Sequence, residues 1–336
     1  MKVLFIGGTG TISQSCARLC AQRGMELSLL VRGTRDERLA PGVEVLRGDL
    51  RKDPGGARHL LAGRDFDCVV DFNVYDEEDV GRDVELFQGR TRRFFFISSA
   101  SAYAKPLPSP RVTEETPLGN PYWEYADKKA ACERLFLRKR AESGFPVVIV
   151  RPSHTYADFA CPTGFSGLGF GIVERILQGK PVVVHGDGLG WWTLTHADEF
   201  AELFVPLLDR EDAVGEAFQI TSDECLTWTQ IYRTMGEVLE RDVELIPVPS
   251  AVLARFDVEL GAALLGDKAH SYLFDNSKIK AWAFPAGGRP QGSPVRLREG
   301  FTRCVQWLRE HPDAAWDRSR GALMDAVAAW ARKNIR

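Results

Sequence analysis

Lys2-Val-Leu-Phe-Ile6-Gly7-Gly8-Thr9-Gly10-Thr11-Ile12-Ser13 is the stretch whose reading decides the fold. Its first five residues are an apolar run suited to a buried strand, and residues 13–23 carry Cys16, Leu19 and Cys20 at helical spacing. Glycines between a first strand and a first helix let the backbone approach a pyrophosphate, which then rests on the helix N-terminus. A tight strand–helix turn would use the same residues. The context favours the nucleotide reading, because the loop follows an apolar strand and opens a helix.

Outward from this unit the chain alternates. Strand-like runs at 25–31, 43–46, 66–72, 93–98 and 145–150 imply a doubly wound parallel sheet of the α/β class, a Rossmann-type arrangement. From residue 157 a loop rich in glycine, proline and aromatic residues begins. The spacing then predicts helices at 169–178, 197–208, 227–239, 295–309 and 322–333, with strands at 181–185, 217–221 and 243–248. We expect an NAD(P)-binding part over 1–156 and a smaller C-terminal α/β substrate lobe over 157–336.

Composition bounds the function. The 336 residues are 44% hydrophobic and 26% charged, enough for one large or two modest cores. A formal net charge of −3 gives no general attraction to nucleic acid or to an anionic membrane, so neither partner is expected. No run approaches a membrane span, and the chain opens on a strand, not a signal peptide. Seven cysteines without paired zinc spacing suggest reduced thiols in a cytoplasmic protein, and six scattered histidines suggest no metal.

The chemistry points to Tyr125 and Lys129. Four residues apart on a helix, they share one face. A free phenol titrates near pH ~10, and a nearby ammonium favours the phenolate. With a serine hydroxyl bonding the same substrate oxygen, the phenol can take a proton from a carbinol while hydride leaves for a nicotinamide. An ordinary helix-surface pair has the same spacing, so the pair acquires meaning only beside a cofactor site.

Gly7-x-x-Gly10-x-x-Ser13, Ser99 four residues before Tyr103, Tyr125-x-x-x-Lys129 and Arg151-Pro152-Ser-His154-Thr-Tyr156 occur in an order that resembles the extended short-chain dehydrogenase/reductases, specifically the NAD-dependent epimerase/dehydratase family. The resemblance covers nearly the whole chain. It implies a catalytic Ser99, Tyr125 and Lys129, with Ser98 in support. It places Gly7, Thr9, Gly10, Thr11, Ile12, Asp49, Leu50, Asn73, Ser98, Tyr125, Lys129, Pro152 and His154 around the cofactor. It also implies a substrate lobe whose segments return to the sheet, a tightly held cofactor, and a homodimer formed through two helices.

Departures from the family pattern bear on substrate and cofactor, and the first is the run Asn73-Val-Tyr-Asp-Glu-Glu-Asp, where the resemblance implies a loop over the cofactor with small residues. Arg32, at the end of the second strand and supported by Arg35, tilts the cofactor from NAD towards NADP, because an arginine can hold a 2′-phosphate; both can equally solvate a loop. Ala100 and Ser101 stand where 4,6-dehydratases of the family carry an acid pair. Trp192 stands where sugar-nucleotide enzymes of the family place an arginine on the diphosphate, and an indole cannot pair with phosphate. Trp191 and Trp192 would suit a flat or sugar-like substrate, or they sit in the core. Ser99, Ser101, His154, Cys161, Lys268 and His270 complete the substrate candidates.

Three functions follow. The first is an epimerase or dehydratase that transiently oxidises a sugar-like secondary alcohol of a nucleoside, glycoside or sugar nucleotide. The second is a net NADPH-dependent carbonyl reductase. The third is a non-catalytic relative that binds RNA.

Overall fold

The computed structural model describes residues 1–285, 294–314 and 319–335. In chain order its strands are β1 (Lys2–Ile6), β2 (Glu26–Val31), β3 (Glu44–Arg47), β4 (Phe66–Asp71), β5 (Thr91–Ile97), β6 (Arg111–Val112), β7 (Val147–Pro152), β8 (His154–Tyr156), β9 (Val182–His185), β10 (Trp191–His196), β11 (Ala217–Ile220), β12 (Cys225–Thr227), β13 (Leu245–Val248) and β14 (Leu273–Phe274). The α-helices are α1 (Thr11–Gln22), α2 (Pro54–Leu60), α3 (Glu77–Phe87), α4 (Glu124–Ser143), α5 (Gly171–Leu177), α6 (Ala197–Phe204), α7 (Trp228–Val238), α8 (Ser250–Phe256), α9 (Val258–Ala263), α10 (Ser277–Ala283), α11 (Leu297–Glu310) and α12 (Ser319–Asn334).

Seven strands form one parallel sheet in the order β3-β2-β1-β4-β5-β7-β11, the α/β architecture expected. From β1 the chain builds outward to β2 and β3, then crosses back to place β4 on the other side of β1. A crevice opens at such a reversal, outside the carboxyl ends of the strands. The central strands carry buried apolar runs, such as those at 3–6, 68–70 and 94–97, because helices cover both faces. Cys16, Ala17 and Cys20 of α1 pack with Phe200, Ala201 and Phe204 of α6 on one face. Val80, Leu86 and Phe87 of α3 pack with Cys132 and Phe136 of α4 on the other. A third core, containing Trp192, Trp228, Tyr232 and Tyr272, belongs to the residues beyond β7 and to their contacts with Tyr103 and Val112.

Two local readings change. The helix expected over 197–208 stops at Phe204 and continues as a 3₁₀ helix, Val205–Asp209, because Pro206 lacks the amide an α-helix needs. The acidic run after Asn73, read as a loop, starts α3. Asp76 caps it by accepting from Asp79 N at 3.1 Å, and Glu77, Glu78 and Asp79 occupy the first turn, where the helix dipole favours them.

A buried charge network fixes α4 against the sheet. Glu133 is fully buried and receives Arg151 of β7 at 2.6 Å and Ser98 Oγ at 2.5 Å. Arg151 also donates to Glu114 O at 2.9 Å, and Tyr103 OH donates to Gln219 Oε1 of β11 at 3.0 Å. Breaking a buried pair from one side strands the other charge, at a cost of about 3–5 kcal/mol. Glu133→Ala is therefore expected to lower unfolding free energy by about that amount in urea titration. A loss below about 1 kcal/mol would contradict this role for the pair.

Candidate active site

The glycine loop is shaped by contacts that exclude side chains. Gly7 and Gly8 have φ of +101° and +144°, and a Cβ on Gly8 would lie 2.9 Å from the Leu29 side chain of β2. One on Gly7 would lie 3.1 Å from Asn73 Nδ2. Ser13 Oγ accepts from Gly10 N at 3.0 Å, and no acid sits in the first turn of α1 to neutralise its dipole. These residues open onto a cleft of about 630 Å³. Gly7, Thr9, Gly10, Thr11 and Ile12 line its centre, and Arg32, Arg35, Asp49 and Leu50 line one end. Asn73, Ser98, Ser99, Tyr125, Lys129 and Pro152 also line it. An anionic dinucleotide fits this set of donors and this close backbone approach.

At the Arg32 end the charges are uneven. Asp36 is held by Arg47 through bonds of 2.6 and 2.7 Å, whereas Arg32 and Arg35 are exposed and without an ion pair among the described residues. Asp49 accepts from the amides of Arg51 and Lys52 at 3.0 and 3.1 Å. Burial pushes its carboxyl up, but these amides and the Arg32 charge outweigh that and hold it below the usual range.

Lys129 is almost fully buried and donates to Val74 O at 2.6 Å and to Ile97 O at 2.8 Å. Burial brings its ammonium down to about 8. Tyr125 is half-buried; burial pushes its phenol up to about 12, Tyr75 adds to this, and a bond with Ser99 pulls it back. The expectation that Lys129 lowers the phenol therefore needs correction, since in this structure its protons go to backbone carbonyls and its Nζ stands 5.9 Å from the Tyr125 ring centre. Tyr125 is a held proton, suited to donation. Ser99 Oγ and Ser101 Oγ are 2.8 Å apart.

Beyond Tyr125 the cleft continues into an inner pocket of about 270 Å³, lined by Ser99, Ser101, Trp123, Tyr125, His154, Asp267 and Lys268. An outer chamber of about 440 Å³ shares His154 and Lys268 with it and adds Phe159, Cys161, Thr163 and Phe170. His154, expected beside the cofactor as well, lines these two spaces and not the cleft, because β8 turns it towards Trp192 and Trp228. Trp192 is not a substrate platform: it is 1% exposed and stacks on Trp228 at 5.4 Å with its edge against Tyr272. Strand alternation turns its neighbour outward, so Trp191 is 46% exposed and lines neither pocket. His270 is spent on Leu265 O at 2.8 Å and also lines neither. Sequence reasoning missed Tyr75, Trp123 and Asp267. Nothing local in the sequence marks Asp267; the turn Leu264–Lys268 brings it there, with Gly266 packed so that a Cβ would lie 2.6 Å from Trp123 Cβ.

The model of the NAD dependent epimerase/dehydratase family matches residues 3–221. The chain belongs to that family. It is 26% identical over 308 residues to a 2′-dehydrokanamycin reductase of Streptomyces kanamyceticus, across 92% of this chain and 84% of the relative. It is 25% identical over 240 residues to the chloroplast stem-loop binding protein of 41 kDa b of Arabidopsis thaliana, across 68% of this chain and 60% of that protein. Among solved structures, the UDP-glucose 4-epimerase of Thermus thermophilus with NAD superposes with a TM-score of 0.71 at 21% identity, covering 92% of this chain and 99% of that one. As a member of the NAD dependent epimerase/dehydratase family, the protein is a nicotinamide-dependent enzyme. Among the described residues no helix is long and apolar enough to cross a membrane.

Two outcomes follow from the site. Tyr125→Phe removes the proton and is expected to lower turnover about 10²–10⁴-fold while nicotinamide binding, followed by fluorescence titration, stays within about threefold. Lys129 loses its charge as pH rises through about 8, so dinucleotide affinity is expected to fall above that pH in the wild type. A Lys129→Met protein that keeps the same pH break would contradict the assignment.

Proposed function

We propose that the protein interconverts a secondary alcohol and a ketone on a sugar-like substrate, with Tyr125 carrying the proton, Ser99 orienting the oxygen and Lys129 holding the cofactor's ribose. One observation carries this reading: Ser99 and Tyr125 line both the dinucleotide cleft and the inner pocket. A nicotinamide bound in the cleft supplies the hydride acceptor and donor. The phenol, protonated at neutral pH, gives its proton to a ketone oxygen and recovers it from the carbinol on return.

In the epimerase or dehydratase cycle the ketone acidifies the neighbouring C–H. Asp267 lines the inner pocket beside Tyr125, and burial pushes its carboxyl up, which suits a group that exchanges a proton. Tyr272 OH orients it at 2.9 Å. Among the described residues no arginine lines either substrate pocket, and Trp192 stands where an arginine would meet a diphosphate, so we read the substrate as one without a diphosphate. We infer in addition a cytoplasmic homodimer that uses α4 and works without nucleic acid.

A net reductase is the second reading. The unpaired Arg32 and Arg35 suit a 2′-phosphate and hence NADPH, and the 2′-dehydrokanamycin reductase matches most of the chain. Cofactor accounting separates the two. NAD(P)+ that co-purifies and is not consumed during substrate conversion supports the retained-cofactor cycle; stoichiometric NADPH loss supports reduction. For the cofactor choice, Arg32→Ala is expected to weaken NADPH about tenfold or more relative to NADH, the loss of one charge-assisted bond. An unchanged ratio would leave NAD as the cofactor.

A further inference from the structure

Where the inner pocket meets the outer chamber, two polar side-chain groups make no hydrogen bond among the described residues. Lys268 is 8% exposed and its ammonium makes no hydrogen bond or ion pair among the described residues; its Nζ faces the Trp123 ring at 5.7 Å. His154 Nδ1 is buried and unbonded. Burial, reinforced by the Lys268 charge, takes this imidazole down to about 3, so it stays neutral and offers an acceptor.

The surrounding charges leave a positive excess. Asp267 is the carboxylate lining these spaces, and Tyr272 already bonds one of its oxygens. Against it stand Lys268 and Lys105, the latter donating to Tyr103 O at 2.8 Å over the Tyr272 ring. An ammonium largely withdrawn from water, with the Asp267 charge nearby but no bond to it, is costly, and an incoming anion relieves that cost.

The position is built. Lys268 ends a π-helical turn, Leu264–Lys268, a distortion frequent at functional sites. Asn120 bolts that turn to the catalytic loop, donating to Gly266 O at 2.6 Å and to Ser101 O at 2.8 Å. His185 Nε2 and Trp228 Nε1 both donate to Lys268 O, at 2.8 and 3.2 Å. The ammonium is thereby held at a fixed offset from Ser99 and Tyr125.

We propose that this junction anchors one anionic group of the substrate, a carboxylate or a monophosphate, on Lys268 while the carbinol lies between Ser99 and Tyr125. This rests on the alcohol–ketone reading of the same site. It also separates this chain from substrates rich in positive charge, for which one carboxylate beside two lysines is a poor match.

The test is calorimetric binding of D-glucuronate, D-glucose 6-phosphate and methyl glucoside to the NADP+-loaded full chain, as wild type, Lys268→Gln, Lys268→Arg and Tyr125→Phe. We expect one anion to bind wild type at least about tenfold more tightly than methyl glucoside, through a charge-assisted bond. Glucuronate or the phosphate sugar, whichever binds, identifies the anion. Lys268→Gln is expected to erase the preference, with Lys268→Arg restoring part of it and Tyr125→Phe keeping it. Equal binding of all three sugars to wild type, or a preference that survives in Lys268→Gln, overturns the proposal. Failure of the alcohol–ketone reading is distinct: it appears as substrate conversion, with or without cofactor consumption, that is unchanged in Tyr125→Phe, whatever the anion result.

Discussion

The active site depends on how one buried ammonium is satisfied. Lys129 gives protons to Val74 O, just past β4, and to Ile97 O, at the end of β5. Those two carbonyls lie where the sheet ends and α4 crosses it, so the bonds set the height of Tyr125 above the strand ends. Burial lowers the lysine and raises the phenol for the same reason, since each charged form loses water. A protonated phenol and a readily discharged ammonium thus stand side by side, ready to be retuned by a bound dinucleotide.

Electrostatics continue along the path from cleft to lobe. Arginines without an ion pair among the described residues stand at one end of the cleft, a helix N-terminus with no acid in its first turn lies at its centre, and a lysine likewise without an ion pair stands in the substrate pocket. The protein is mildly acidic overall, so this positive lining is local. The Glu133–Arg151 pair keeps Ser98 and α4 in register with β7. Rigid support of this kind lets the reacting groups keep a fixed geometry.

Much of the fold was legible because it is carried by short-range periodicity. The β1 run, the glycine loop and the helix after it announce themselves within a short stretch of chain, and the glycines are required by positive φ and by Leu29 and Asn73 behind them. The Tyr125–Lys129 spacing reads off a helix directly. The substrate side was less legible, because it depends on which face of β10 turns inward. Trp191 and Trp192 are adjacent, and nothing local tells which one the lobe core takes. Asp267 was hidden for a similar reason: its approach to Tyr125 comes from a π-helical turn that Asn120 holds from 146 residues away in the chain. The acidic run at Asn73 misled because it departs from the family pattern, yet it caps α3 and supplies the carbonyl that holds Lys129.

The central claim is that one dinucleotide joins the glycine loop to Tyr125. A crystal structure with NADP+ tests it most directly. The account predicts the pyrophosphate on the amides of the Gly7–Ile12 loop, the adenosine end at Arg32, and the nicotinamide against Ser99, Tyr125 and Pro152. A dinucleotide bound in the reverse direction, or outside this cleft with Tyr125 untouched, would contradict it.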